Sequence, residues 1–157
     1  MALLQEFIEA YQATGNVEVA ETKSGFELLE NYPPAGFYVY ALIDPRDKSI
    51  FYIGKGIGGR VLKHEERTRR GVIQNRKKVE RIQEIYAAGL KVEKRILSVS
   101  DSEEVALALE EHIIDALRFN GLTNIIGGSS TRVPQVRKLA DAFRERIEDF
   151  RRLWLAE

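Results

Sequence analysis

The 157-residue chain contains no cysteine, which excludes a disulfide framework, thiol chemistry and cysteine-ligated zinc. Long apolar runs are also missing. No stretch approaches the roughly 20 residues that a membrane-spanning helix requires, so no membrane partner is expected. The opening residues, MALLQEFIEAYQATG, lack a basic region and carry two glutamates. They are not expected to act as a secretory signal, and the cytoplasm is the expected location. Net charge is absent as well, with 24 basic and 24 acidic side chains.

That zero conceals an uneven distribution. Residues 55–95 hold thirteen Lys or Arg against five Glu. Residues 1–54 hold three basic and eight acidic side chains, and residues 96–157 hold eight and eleven. A cationic middle inside an acidic frame is the electrostatic footprint of a chain that touches a phosphate backbone. The competing account is a solvated helix face on which Glu80 and Glu84 neutralise neighbouring cations.

At this length a single domain spanning 1–157 is the simplest organisation. Leu3, Leu4, Phe7, Ile8 and Tyr11 recur at helical spacing and predict an amphipathic helix up to about Gly15. Residues 16–35 read as an irregular connection with a helical turn at GFELLE, ended by Pro33-Pro34. GFYVYALI and IFYIG predict two strands, and DPRDKS between them is turn chemistry, so the pair is antiparallel. Helical patterns follow in RVLKHEERTRR and VIQNRKKVERIQEIYAAG, the second stopped by Gly89, with Ile73, Val79, Ile82, Ile85 and Tyr86 inward. LKVEKRILSV alternates as a third strand. SDSEEVALALEEHIIDALRF predicts a largely buried helix capped by Ser100 or Asp101. A last helix is expected in 131–157. The fold class is therefore α+β: a small three-stranded antiparallel sheet flanked by helices, with extra N- and C-terminal helices.

Chemistry-bearing side chains are spread along this order. Tyr38 and Tyr40 alternate on a strand, where aromatic residues ordinarily pack. Arg60 begins a helix, an unfavourable end for a cation unless an anion is bound there. His64 shares its face one turn on. Glu110 lies in an apolar helix, where a carboxylate is costly unless paired, protonated or bound to a metal. Glu111 is the competing candidate. Asn124 precedes a turn, for which a capping role is the ordinary explanation. A hydroxyl pair, a guanidinium, a buried carboxylate and a basic surface together suit phosphodiester hydrolysis. The carboxylate would hold a hard divalent cation, the arginine would stabilise charge on phosphoryl oxygens, and a tyrosine or metal-bound water would handle the proton.

GFY followed by YIG, with an arginine and a histidine beyond, resembles the GIY-YIG nuclease family, closest to its LEM-3/Ankle1-like branch and small bacterial relatives. The resemblance covers residues 36–127, leaving 1–35 as an N-terminal helical extension and 131–157 as a C-terminal helix. It implies that Tyr38 stands for the tyrosine of the first motif half, with Phe37 in place of an aliphatic residue. Tyr52, Ile53 and Gly54 match the second half. Arg60, His64, Glu110 and Asn124 take the family's arginine, polar partner, metal-binding glutamate and site-closing asparagine. Seven residues separate Tyr52 from Arg60, and GKGIGG reads as a shortened loop.

What the resemblance implies is a metal-dependent endonuclease acting on DNA, branched or nicked forms included, with one Mg²⁺ or Mn²⁺ on Glu110 and either Tyr38 or Tyr52 as base. Gly54 of the motif, Lys55 after it, and Lys63, Arg69, Arg70, Arg76 and Lys77 in the basic segment are the expected substrate contacts. The alternative is a non-catalytic nucleic-acid-binding module of the same fold, against which the joint presence of Tyr38, Tyr52, Arg60, Glu110 and Asn124 argues. Val136, Ala140, Phe143, Ile147, Phe150 and Trp154 recur at four- and three-residue steps. That stripe serves either a homodimer seam or packing back onto a monomer.

Overall fold

The computed structural model describes residues 2–30, 35–58 and 75–124. The expected helix over RVLKHEERTRR, with Arg60, Lys63, His64, Arg69 and Arg70, and the expected C-terminal helix in 131–157 lie outside the described residues. The described elements are α1 (Ala2–Thr14), α2 (Val17–Ser24), β1 (Leu29–Glu30), β2 (Phe37–Asp44), β3 (Ser49–Ile57), α3 (Arg76–Ala87), β4 (Glu93–Ser100) and α4 (Glu103–Leu117). The strands form one antiparallel sheet in the order β1-β4-β2-β3. The fold is α+β, with four strands where the sequence predicts three. The added strand is only two residues long, too short for any alternation to show, and pairs Leu29 with Ile96 and Glu30 with Arg95.

The stretch read as an irregular connection contains α2, which has almost no apolar stripe. Its ends make it a helix. The Asn16 side chain caps the Val19 N–H, and Gly25 closes the other end in the left-handed region at φ 72° with its N–H on the Glu21 carbonyl. In α1, Leu4, Phe7, Ile8 and Tyr11 are buried, while Leu3 points to solvent. Helix α3 begins at Arg76, four residues later than its pattern suggests, because Asn75 caps it by accepting from the Lys78 N–H at 3.1 Å. It ends as expected at Gly89: the Gly89 N–H bonds the Tyr86 carbonyl and the Leu90 N–H that of Ile85. Helix α4 is capped by Ser102, not by Ser100 or Asp101.

Two apolar layers sandwich the sheet. On one face Val39, Ala41, Ile43, Ile50, Ile53 and Leu97 pack under α1, α2 and α4. On the other, Tyr38, Tyr40, Leu42, Phe51 and Ile96 pack under Ile82 and Ile85 of α3, with Tyr52 and Tyr86 at the margin. A break in register opposite Leu42 and Ile43 lets Phe51 and Tyr52 both serve this second layer. Among the described residues no helix is long and apolar enough to cross a membrane.

Candidate active site

Strand β3 runs on through Lys55 and Gly56 to Ile57, so four of the six residues of GKGIGG are strand. The glycines are there for the tyrosines. Tyr40 pairs with Gly54 and Tyr38 with Gly56, and each phenol ring lies across its glycine. A Cβ on Gly54 would sit 2.4 Å from the Tyr40 Cζ and Oη, and one on Gly56 would sit 2.8 Å from the Tyr38 Cε2. Only a residue without a side chain fits beneath either ring. The rings form a row, with centroids 5.9 Å apart from Tyr38 to Tyr40 and 6.3 Å from Tyr40 to Tyr52.

The three tyrosines differ in access. Tyr38 and Tyr40 are buried, whereas Tyr52 is half-buried. The Tyr38 hydroxyl donates to the Gly58 carbonyl and so holds the end of β3 just ahead of the segment that carries Arg60. The Lys78 ammonium lies 4.7 Å from the centre of the Tyr52 ring.

Among the described strands β3 is an edge, and its outward backbone groups are met by Tyr11, Thr123 and Asn124 rather than by another strand. The Tyr11 hydroxyl accepts from the Ile50 N–H at 2.6 Å. Burial of that phenol pushes its pKa up. The Thr123 N–H and hydroxyl both reach the Phe51 carbonyl, at 2.7 and 2.8 Å. Asn124 accepts from the Ile53 N–H at 3.0 Å and donates to the Ile53 carbonyl at 2.8 Å. Its amide thus stands in for a strand partner, and Tyr52 is pinned on both sides. Asn75 joins this frame by donating to the Thr123 carbonyl at 2.8 Å. Asn75, Thr123 and Lys78 were not singled out by sequence reasoning. The Asn75–Lys78 capping interval was visible there, but the pairing of Thr123 with Phe51 spans 72 positions and leaves no local trace.

Glu110 and Glu111 separate clearly. Glu110 is buried, 9% exposed, on the stripe shared with Ala106, Ile113 and Ile114, while Glu111 is half-buried. Glu110 arrives on α4, the helix over the aliphatic face, so carboxylate and tyrosines are delivered by different layers of the fold. Lys55 lies on that aliphatic side too, opposite Val39, with its ammonium 2.5 Å from Glu103 and over the Phe37 ring. Arg76 and Lys77 are exposed in the first turn of α3 and pair with no carboxylate among the described residues. The basic segment is therefore not one continuous strip. Arg81 is bound to Asp44, and Arg95 to Glu30 and Glu93.

Among the described residues no three or more His, Asp or Glu side chains gather as a metal cluster. A cation at Glu110 would draw on that one carboxylate, with water and phosphate oxygens completing its shell. This suits a small hard ion that keeps its waters, and the residues present fit it. No curated protein and no solved structure shows significant similarity to the chain. The family model of the LEM-3-like GIY-YIG domain, in contrast, matches residues 37–147, a span that takes in both tyrosine strands, α3, β4 and the helix of Glu110. On that match the chain belongs to the LEM-3-like branch of the GIY-YIG family, with the nuclease-type fold and nucleic-acid substrate that the family implies.

Proposed function

We propose that the protein is a metal-dependent endonuclease that hydrolyses DNA phosphodiester bonds at a site assembled from Tyr38, Tyr52, Arg60, His64, Glu110 and Asn124. The observation that carries this reading is Glu110. This carboxylate is 9% exposed on an apolar helix stripe, at the position that the family resemblance gives to the metal-binding glutamate. A single carboxylate so placed suits one hard divalent cation.

A divalent ion held by Glu110 would supply Lewis-acid polarisation of the scissile phosphate and stabilisation of charge on the leaving oxygen. The chain's own groups do the rest. Tyr52, the half-buried member of the tyrosine row, takes the proton of the attacking water. Tyr38, enclosed and hydrogen-bonded to Gly58, orients the start of the segment bearing Arg60 and His64. Arg60 meets the phosphoryl oxygens and His64 the leaving group. Asn124 keeps Ile53, and with it Tyr52, in place.

The test is cleavage of linear, nicked and branched DNA with Mg²⁺ or Mn²⁺ by the wild-type protein beside Glu110→Ala. Cleavage by the first and none by the second is expected. Equal activity in both, or cleavage without a divalent ion, would sink the metal assignment. Binding without cleavage under every condition would favour a non-catalytic module.

A further inference from the structure

The half-buried Tyr52 has a cation on its ring, and that cation is held there by more than its own side chain. Lys78 stands in the first turn of α3, where its backbone N–H is fixed by the Asn75 side chain. Asn75 is tied in turn to the Thr123 carbonyl, and Thr123 and Asn124 bind the residues on either side of Tyr52, Phe51 and Ile53. Ring and ammonium are thus mounted on one hydrogen-bonded frame, 4.7 Å apart. Placing Lys78 in the first helical turn works against the helix dipole, so its position is not explained by helix stability.

We infer that Lys78 acts through Tyr52: held over the phenol by the Asn75–Thr123–Asn124 frame, its ammonium orients the ring and favours the phenolate that takes the proton of water. This rests on the nuclease reading only for the last step. Lys78 is a positioning residue, not one that reacts. As the water oxygen bonds to phosphorus and the leaving P–O bond breaks, the phenolate accepts the water proton. The leaving oxygen takes a proton from solvent, and the phenol then returns its proton to solvent.

Among the described residues Lys78 is the cation over this ring. From β2 the titratable neighbour is Tyr40, at 6.3 Å between ring centres. On α3, Arg76 and Lys77 are exposed, and Arg81 covers the adjoining Phe51 ring and is already bound to Asp44. The 123–124 segment brings neutral groups. An opposite charge at about 4–6 Å favours an ionised partner by about one pH unit or more.

The experiment compares wild type, Lys78→Met, Lys78→Arg and Tyr52→Phe by two readouts. The first is tyrosinate absorbance against pH, which needs no activity. The step missing in Tyr52→Phe should move up by about one pH unit in Lys78→Met and return in Lys78→Arg. The second is kcat/KM on a duplex oligonucleotide with Mg²⁺ against pH. Its rising limb should move by the same amount, a loss of about tenfold at neutral pH. An unmoved tyrosinate step overturns the inference. So does a raised KM at unchanged kcat with an unmoved pH profile, which would make Lys78 a plain phosphate contact. If the step moves but the wild type cleaves nothing, the Lys78–Tyr52 pair stands and the nuclease reading falls.

Discussion

Helix α3 touches the β2–β3 hairpin at both ends, and the two ends treat charge in opposite ways. At the turn, Asp44 is 1% exposed and accepts from the Arg46 backbone N–H at 3.0 Å, the Arg46 guanidinium at 2.7 Å and the Arg81 Nε at 2.7 Å. Arg81 also donates to the Ser49 hydroxyl, Arg46 reaches Glu84, and Lys48 meets Glu93 at 2.6 Å. Cations there are matched to carboxylates and hold the helix to the turn. At the other end Arg76 and Lys77 stand exposed and Lys78 covers a tyrosine. Basic residues that look alike in the sequence are therefore two populations, one that closes the fold and one that faces outward.

The largest expected effect comes from breaking the closed end. Asp44→Ala leaves two guanidiniums without their shared partner and should cost about 3 kcal/mol in denaturant unfolding. Cleavage per folded molecule should be nearly unchanged. Burial alone would raise the Asp44 carboxyl, but the hydrogen bonds from Arg46 and Arg81 outweigh it and hold the group well below the usual carboxylate range. A depressed pKa contributes stability above the ordinary value, 3.8, and loses it as pH falls toward the lowered one. The wild type should thus lose stability below about pH 4 more steeply than the variant. Parallel acid profiles would mean that Asp44 is not the anchor. A large drop in specific activity would mean that the two ends are not separate.

Substitution at the tyrosine end should affect both properties. Gly54→Ala drives a methyl into the buried Tyr40 ring, 2.4 Å from its nearest atoms. Overpacking of this kind costs about 2 kcal/mol. Tyr40 stands in the row between Tyr38 and Tyr52, so displacing it should disturb both neighbours and lower cleavage per folded molecule as well. Full specific activity in a destabilised Gly54→Ala protein would detach the tyrosine row from the chemistry.

The hairpin, α3, α4 and the third long strand were legible because each announces itself locally by alternation, helical spacing or a glycine stop, whereas the caps at Asn75 and Ser102 were not read. The burial of Glu110 was legible for a related reason, since a carboxylate within an apolar period is conspicuous, whereas the tyrosines stood out only through the family resemblance. Helix α2 and strand β1 were not. The helix rests on its caps rather than on an apolar stripe, and the strand on a partner more than sixty residues away. The glycine run misled beyond Gly54, because glycine reads as a turn, whereas Gly56 like Gly54 is a strand residue emptied for a tyrosine ring. Asn124 was noticed, but its bond to the Ile53 backbone is a tertiary fact 71 positions long.

The smallest effects should come from the open end's exposed cations, and they sharpen the contrast most. Arg76 and Lys77 sit in the first turn of α3, where each cation opposes the helix dipole by a few tenths of a kcal/mol. Alanine at either position should leave unfolding unchanged or slightly improved. On DNA, each phosphate that a variant no longer neutralises should reduce the slope of log affinity against log salt by about one. Arg81→Ala is the counterpart within the same helix: it should weaken the fold through Asp44 and leave the salt slope alone. The measurement is a salt titration of binding for all three variants without a divalent ion, so that binding is read apart from the proposed cleavage. If Arg81→Ala flattens the slope as much as Arg76→Ala, the turn-end cations also face the nucleic acid. The division of α3 into a closed and an open half would then be wrong.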